Sequence, residues 1–182
     1  QRGMNIPNFL TILRILLVPV FINLLLYGYH ISALIVFLLA GLTDGLDGFI
    51  ARISNKKTTL GTYLDPMADK LLLAAGFITL TKLHLVPVWL TIIILSRDAI
   101  LLIGTLMIHL IHEAFNISPT IIGKGTTLFQ LVYIISVLIS IETEKVSYVL
   151  PLLALITTIL TISSGLHYIY RGIVRINSKE AR

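Results

Sequence analysis

The chain has no cysteine and very little charge. Its 182 residues include 14 lysines and arginines and nine aspartates and glutamates, so only 13% of the residues are charged. Soluble domains carry roughly 25%. The absence of cysteine excludes disulfide bonds and thiolate metal sites. With 56% of the residues hydrophobic, the shortage of charge excludes an ordinary soluble surface. The net charge of +5 does not indicate nucleic-acid binding, because the cations stand at helix ends and are not interleaved with aromatic residues.

Long apolar runs fill the chain. A helix needs about 20 mostly apolar residues to cross a bilayer, and six segments meet this requirement: Ile6 to Leu26, Ile31 to Ala51, Thr62 to Leu80, Val86 to Leu110, Thr120 to Ile141 and Val146 to Ile169. We therefore predict an all-α integral membrane protein, a bundle of six transmembrane helices. Residues 1–3 are expected to be an extraneous remnant, and residues 4–182 a single membrane domain.

Proline positions refine the helix predictions. Pro87 is expected to mark the start of the fourth helix, because a proline is tolerated at an early helical position, where the first N–H groups have no partner. Pro19 and Pro151 lie inside apolar runs, so we expect them to kink the first and sixth helices.

The distribution of cations predicts the orientation. A cytoplasmic N-terminus leaves only Lys82 and Lys145 on the opposite side, with Lys70 and Arg97 inside helices. The cytoplasmic side then receives Arg2, Arg14, Arg52, Lys56, Lys57, Lys124, Arg171, Arg175, Lys179 and Arg182. The positive-inside rule thus places both termini in the cytoplasm, and the cations there suit anionic lipid headgroups.

Four aspartates interrupt the second and third apolar segments. Asp44 and Asp47 lie about 60° apart on one helix, and Asp65 and Asp69 about 40° apart on the next. The short polar stretch between the pairs predicts an antiparallel hairpin that brings all four carboxylates into one pocket. Such a cluster needs cations to stay ionised. Ligands that are all oxygen select Mg²⁺ or Mn²⁺, and four carboxylates suffice for two ions. Magnesium held in this way usually completes its shell with substrate phosphates, so we expect a diphosphate ligand.

The spacing of these residues resembles a known signature. The stretch from Asp44 to Arg52, "DGLDGFIAR", followed eight residues later by "GTYLDPMAD" from Gly61 to Asp69, matches the CDP-alcohol phosphotransferase pattern D-x-x-D-G-x-x-A-R-x8-G-x-x-x-D-x-x-x-D at every fixed position. The segments "NIPNFLTILRI", "SRD" and "GKGTT" also resemble phosphatidylglycerophosphate synthases and cardiolipin synthases. The likeness covers nearly the whole chain from Met4.

The resemblance implies a homodimer. We expect a bacterial inner membrane protein, and the positive-inside rule places the aspartate-rich hairpin, and with it the active site, at the cytoplasmic face. The resemblance also implies that Asp44, Asp47, Asp65 and Asp69 hold two divalent ions, and that Asp69 is also the general base. The expected reaction moves a phosphatidyl group from CDP-diacylglycerol to a glycerol-type acceptor and releases CMP.

Several residues are predicted to bind the CDP-lipid. Gly48 would let the nucleotide approach the backbone, or it would pack helices together with Gly41 and Gly45. Arg52 would bind phosphate oxygens in a fork, or anchor the helix at the headgroups. By resemblance, Asn8, Thr11 and Thr58 supply polar contacts.

Three cations are predicted to bind the acceptor phosphate: Arg97, Lys124 and Arg171. Arg97 lies in the middle of the fourth helix, where a charge is costly unless it serves a cavity or forms a salt bridge, for which Asp98 is at hand. Lys124 and Arg171 could equally be headgroup anchors. Glycerol 3-phosphate is the expected acceptor. Phosphatidylglycerol is the alternative, because "ISPTIIGKGTT" and "SRD" resemble the mitochondrial type of cardiolipin synthase.

Two other functions fit the composition less well. A divalent-cation transporter would spread acidic residues through the bilayer depth, whereas the four aspartates are confined to one hairpin. A membrane prenyltransferase would carry its two aspartate-rich motifs on well-separated helices, whereas Asp47 and Asp65 are close in sequence.

Overall fold

The computed structural model describes the backbone of residues 6–54, 59–111 and 121–180. It describes the side chains of residue 9 and of residues 11–43, 70–104, 122–143 and 146–171. Every regular element in these ranges is a helix. The seven helices are α1 (Ile6–Leu26), α2 (His30–Ser54), α3 (Thr59–Lys82), α4 (Val88–Ile111), α5 (Ile121–Glu142), α6 (Glu144–Ser147) and α7 (Leu150–Glu180).

The six long helices correspond to the six apolar segments predicted from the sequence. The start of α4 at Val88 confirms the prediction for Pro87, whose carbonyl accepts hydrogen bonds from the N–H groups of Leu90 at 3.2 Å and Thr91 at 3.4 Å. The prediction for Pro151 is wrong. The four-residue helix α6 and a turn precede α7, so Pro151 is the second residue of α7. In a first turn the missing N–H has no helical partner to lose, and Pro151 belongs to the helix start.

The turns after α1 and α3 share one hydrogen-bond pattern. Tyr29 N–H donates to the Leu24 carbonyl at 2.9 Å, and Gly28 N–H donates to the Leu25 carbonyl at 3.1 Å. The same pair of bonds recurs from Leu85 to Leu80 and from His84 to Thr81. This is the Schellman ending, which requires a left-handed residue at its centre. Gly28 has φ of 80° and His84 has φ of 59°.

We expect Gly28→Ala to lower the free energy of unfolding by about 1 kcal/mol, because a side chain disfavours the left-handed region. A Cβ at Gly28 would meet nothing within 4 Å, so backbone conformation alone sets the cost. Thermal unfolding in detergent should show a loss of roughly 2–4 °C. The control is His84→Gly at the equivalent turn, which should not lower the unfolding temperature. Equal losses for the two variants would contradict this account.

The chain forms two compact units. The first comprises residues 1–86 and 137–144, and the second comprises residues 87–136 and 145–182. In the first unit, α1 packs against α2 and α3, and the rings of Phe21 and Phe37 lie 5.3 Å apart. In the second unit, α4 packs against α7, and the Thr126 hydroxyl donates to the Leu160 carbonyl of α7 at 3.1 Å.

Apolar side chains face outward over much of the described surface, while polar side chains lie inside. Leu16 is 61% exposed and Leu166 63%. The buried polar residues are Thr11, Arg14, Thr79, Thr91, Arg97, Asp98, Thr126, Gln130, Thr157, Thr161 and Ser164. Two helical stretches are long and apolar enough to cross a bilayer, Ile122–Glu142 and Leu150–Arg171, and only 33% and 22% of their most apolar windows are buried. A core helix of a soluble protein would be mostly buried, so the arrangement fits a membrane protein.

Candidate active site

Each helix of the first unit buries one stripe of residues. The stripes contain Phe21 and Leu25 on α1, Ala33, Phe37 and Ala40 on α2, and Leu72, Leu73, Phe77 and Leu80 on α3. Spacings of three and four residues keep each stripe on a single helix face. These faces form the core of the unit.

The stripes change from apolar to polar at one end of the unit. Asp44 and Asp47 lie four and seven positions beyond Ala40 on α2, so their helix positions continue the buried stripe. Asp65 and Asp69 lie seven and three positions before Leu72 on α3 and continue that stripe in the same way. The side chains of these aspartates lie outside the described residues, and the metal site remains a prediction.

The helix bounds place the two acidic pairs at matching depths. Asp47 lies seven positions before the end of α2, and Asp65 lies six positions after the start of α3. Asp44 and Asp69 each lie ten positions from the same ends. At 1.5 Å per residue, these offsets correspond to about 10 Å and about 15 Å along the helix axes. An antiparallel hairpin would therefore pair Asp47 with Asp65 and Asp44 with Asp69 in depth.

Arg14 has a place in the core that was not predicted. It was expected among the cytoplasmic cations, whereas it is completely buried, with 0% of its surface exposed. Thr11, three positions earlier, is also fully buried. Both precede Phe21 on the core stripe of α1. These positions repeat at helical spacing, but only the packing of α1 against α2 and α3 shows that this face is buried.

The other predicted CDP-lipid residues are only partly described. Asn8 lies in the first turn of α1, and Gly48 and Arg52 lie on the last part of α2. Their side chains, and Thr58 as a whole, lie outside the described residues. A Cβ on Gly41 would meet nothing within 4 Å, so Gly41 makes no close helix contact in the described part of the chain.

A buried polar cluster joins α4 to α7 in the second unit. Arg97 Nη1 donates to Asp98 Oδ1 at 2.6 Å, and Arg97 Nη2 donates to Ser164 Oγ at 2.7 Å. The two charged side chains are only 6% and 10% exposed. Of the two predicted roles for Arg97, the structure shows the salt bridge with Asp98. Among the described residues, Arg97 Nε has no hydrogen-bond partner.

Lys124 and Arg171 are both exposed. Thr126, two positions after Lys124, meets α7 at Leu160, and Arg97 meets α7 at Ser164. Measured along the axis of α7, Lys124 therefore lies within about two helical turns of Ser164, the residue that Arg97 contacts. Arg171 lies seven positions beyond Ser164, roughly 10 Å further along the helix. The three cations thus span more depth than a single phosphate.

The donor set of the first unit suits hard divalent ions. Its four aspartates offer oxygen ligands only, and Cys is absent from the whole chain. Mg²⁺ and Mn²⁺ prefer such ligands. The helix positions of the aspartates, on core stripes at matched depths, are compatible with a shared pocket.

Together, an all-helical fold with an apolar exterior and paired acidic positions on core stripes fits the class of helical membrane enzymes that act on phosphorylated substrates. The family model for CDP-alcohol phosphatidyltransferase matches residues 4–160. The chain belongs to this family of enzymes.

Relatives of two kinds are similar to the chain over most of its length. It is 32% identical to the CDP-diacylglycerol–glycerol-3-phosphate 3-phosphatidyltransferase of Bacillus subtilis, over 90% of this chain and 93% of that protein. It is 34% identical to the protein of the same name from Aquifex aeolicus, over 93% and 96%. It is 38% identical to the cardiolipin synthase (CMP-forming) of Rattus norvegicus, over 94% of this chain but 63% of that protein.

Proposed function

We propose that the protein transfers a phosphatidyl group from CDP-diacylglycerol to glycerol 3-phosphate, giving phosphatidylglycerophosphate and CMP. The observation that carries the proposal is the complete signature from Asp44 to Asp69, whose acidic positions continue the core stripes of α2 and α3 at matched depths. The family match supports the same chemistry.

Asp44, Asp47, Asp65 and Asp69 would hold two Mg²⁺ or Mn²⁺ ions. Such ions withdraw charge from the phosphorus under attack and stabilise the leaving phosphate of CMP. The protein's part is to fix the ligands on two helices that share a packed core, so that no reorganisation is needed during the reaction.

Asp69 would accept the proton of the acceptor hydroxyl. The hydroxyl oxygen then forms a bond to the phosphorus that carries diacylglycerol, and the bond from that phosphorus to the oxygen bridging to CMP breaks. A carboxylate that also binds a metal has a lowered basicity, so its position matters more than its proton affinity. Gly48, Arg52, Asn8 and Thr58 would bind the CDP-lipid, with Arg52 on phosphate oxygens. Thr11 is fully buried, so it would support this site from within the core.

The acceptor phosphate would bind to cations of the second unit. Lys124 and Arg171 are exposed, whereas the two Nη atoms of Arg97 are held by Asp98 and Ser164. We therefore assign direct phosphate contact to Lys124 and Arg171. Arg97 would support this site without direct contact, because its charge is paired with Asp98 and its second Nη is bonded to Ser164.

Two acceptors suit this arrangement, because glycerol 3-phosphate and phosphatidylglycerol both carry a glycerol hydroxyl and a phosphate. Glycerol 3-phosphate is the first candidate because two relatives that match most of the chain, from Bacillus subtilis and Aquifex aeolicus, are named as glycerol-3-phosphate 3-phosphatidyltransferases. Phosphatidylglycerol, which would make the protein a cardiolipin synthase, is the second candidate because the identity to the rat enzyme is 38%.

The six long helices would span the membrane as one bundle, with both termini in the cytoplasm. The outward apolar side chains, and the two described stretches that are long and apolar enough to cross a bilayer, support spanning. The cation distribution supports the orientation. The protein would work as a homodimer in a bacterial inner membrane, with its active site at the cytoplasmic face.

The test supplies radiolabelled CDP-diacylglycerol and Mn²⁺ to the purified protein with either glycerol 3-phosphate or phosphatidylglycerol. We expect labelled phosphatidylglycerophosphate in the first reaction and at least tenfold less labelled product in the second. Labelled cardiolipin as the main product would establish the second candidate. Labelled lipid from neither acceptor would contradict both.

A further inference from the structure

Among the described residues, Arg14 is the largest side chain that is fully buried. It lies on α1, the helix that contacts both aspartate-bearing helices of the first unit. Its 0% exposure excludes a headgroup anchor. An arginine enclosed between helices needs a compensating negative charge, because an unpaired buried charge is strongly destabilising.

The contact between Phe21 and Phe37 sets the register of α1 against α2. The two helices are joined by the tight turn at residues 27–29 and run antiparallel, and the two rings lie 5.3 Å apart. Seven positions before Phe21 on α1 is Arg14, and seven positions after Phe37 on α2 is Asp44. Seven residues make about two helical turns on each helix. Arg14 and Asp44 therefore occupy the same layer of the helix pair, on the faces that form the core.

The same register places Thr11 at the layer of Asp47, since each lies three positions further along. Asp44 and Asp69 each lie ten positions from the facing ends of α2 and α3, so an antiparallel hairpin would bring Asp69 to the layer of Arg14 as well. The polar ends of all three core stripes would then meet at one level of the unit.

The other acids of this unit lie far from that level. Glu142 is 3.9 Å from His30, the first residue of α2, and Glu144 follows closely after it. Asp44 lies 14 positions further along α2, or about 20 Å along its axis. Arg14 does have an interaction partner. The acidic residues whose helix positions lie at the same depth as Arg14 are the signature aspartates.

We propose that Arg14 is a positioning residue of the active site, the permanent counter-charge of the metal-binding carboxylates at the level of Asp44 and Asp69. The proposal rests on the proposed function, in which those carboxylates bind divalent ions. A guanidinium stays charged at every physiological pH and presents donors in a fixed fork. It offsets the repulsion among the carboxylates before ions bind, and it limits the affinity for ions that add further positive charge.

The test measures thermal unfolding of the full chain in detergent without lipid substrate, first in EDTA and then across a Mn²⁺ titration. In EDTA, Arg14→Gln should unfold at a markedly lower temperature than the wild type, because the carboxylates lose a fixed counter-charge. Mn²⁺ should raise its unfolding temperature more than that of the wild type. The midpoint of this Mn²⁺ response should shift to about tenfold lower concentration, because the ion no longer competes with a fixed cation.

Arg97→Gln is the matched control. It removes another buried arginine, which pairs with Asp98 in the second unit, so it should lower stability without changing the Mn²⁺ midpoint. If Arg14→Gln has the same Mn²⁺ midpoint as the wild type, the proposal is overturned, even if the variant is less stable. An altered midpoint in both variants would also overturn it, because the effect would then follow general destabilisation.

Two further variants keep the test decisive. If Arg14→Gln does not fold in EDTA, purification in Mn²⁺ should yield folded Arg14→Gln protein. Mn²⁺ should not rescue an Arg97 variant of comparable instability. Arg14→Lys keeps the charge and should retain a Mn²⁺ midpoint within about threefold of the wild type. Asp44→Asn tests the metal site itself. It should abolish the Mn²⁺ response, because it removes one of the proposed metal ligands. If the wild type itself does not respond to Mn²⁺, the metal site of the proposed function fails. If the wild type responds to Mn²⁺ and Arg14→Gln has the same Mn²⁺ midpoint, the proposed role of Arg14 fails while the metal site stands.

Discussion

Asp69→Asn is expected to reduce CMP release by about 10³-fold or more while largely sparing CDP-lipid binding. The amide keeps the size of the side chain and offers an oxygen, but it cannot take up the proton of the acceptor hydroxyl at neutral pH. General-base catalysis contributes about 10² to 10⁴-fold to enzymatic rates, and weaker metal ligation by the amide adds to the loss. The measurement is steady-state CMP release at saturating acceptor, together with titration calorimetry of CDP-diacylglycerol binding in Mn²⁺.

A matched acid tests whether this loss is specific. Glu142 is half exposed and lies near His30 in the same unit, away from the signature residues. Glu142→Gln should therefore retain the wild-type rate within about twofold. Unaltered turnover in Asp69→Asn would remove Asp69 from the reaction. Equal loss of CDP-lipid binding and turnover would assign it to ligand binding alone.

Helix positions were predictable because a membrane-spanning helix is specified by composition over about 20 residues. The six long helices lie where the apolar runs lie, and Pro87 marked a start correctly. The exceptions are the two ends of α7, which begins at Leu150 instead of Val146 and ends at Glu180 instead of Ile169. The run from Val146 is uninterrupted in hydropathy, yet the chain makes α6 and a turn before Leu150. Hydropathy does not specify where a helix begins. Pro151 marks the start of α7, although it was expected to kink the middle of a helix.

The candidate site was predictable in part, for a related reason. Four aspartates at helical spacing stand out in an apolar chain, and the signature fixed their interpretation. Arg14 did not stand out, because a cation near the end of an apolar run looks like a headgroup anchor. Its burial depends on the neighbours of α1, and the register from Phe21 and Phe37 is a tertiary contact that one sequence does not display. Arg97 shows the same limit, since Ser164, its partner on α7, lies 67 residues away in sequence.

The second large effect is expected at the buried pair of α4, where Asp98→Asn should lower the free energy of unfolding by about 3–5 kcal/mol. Asp98 Oδ1 accepts the hydrogen bond of Arg97 Nη1 at 2.6 Å, with both side chains almost fully buried. Removing the carboxylate charge leaves a guanidinium in an apolar interior, and Ser164 Oγ cannot neutralise it. The measurement is unfolding in detergent at fixed pH, by heat or by denaturant.

The comparison with an exposed pair shows why burial decides the size of this effect. His30 and Glu142 lie 3.9 Å apart with side chains 23% and 49% exposed, so Glu142→Gln should change stability by less than about 1 kcal/mol. The double variant Arg97→Met with Asp98→Leu should recover most of the loss, because two apolar side chains leave no buried charge. If Asp98→Asn costs no more than Glu142→Gln, the pair does not hold α4 in place. If the double variant is as unstable as Asp98→Asn, the loss comes from packing and not from the stranded charge of Arg97.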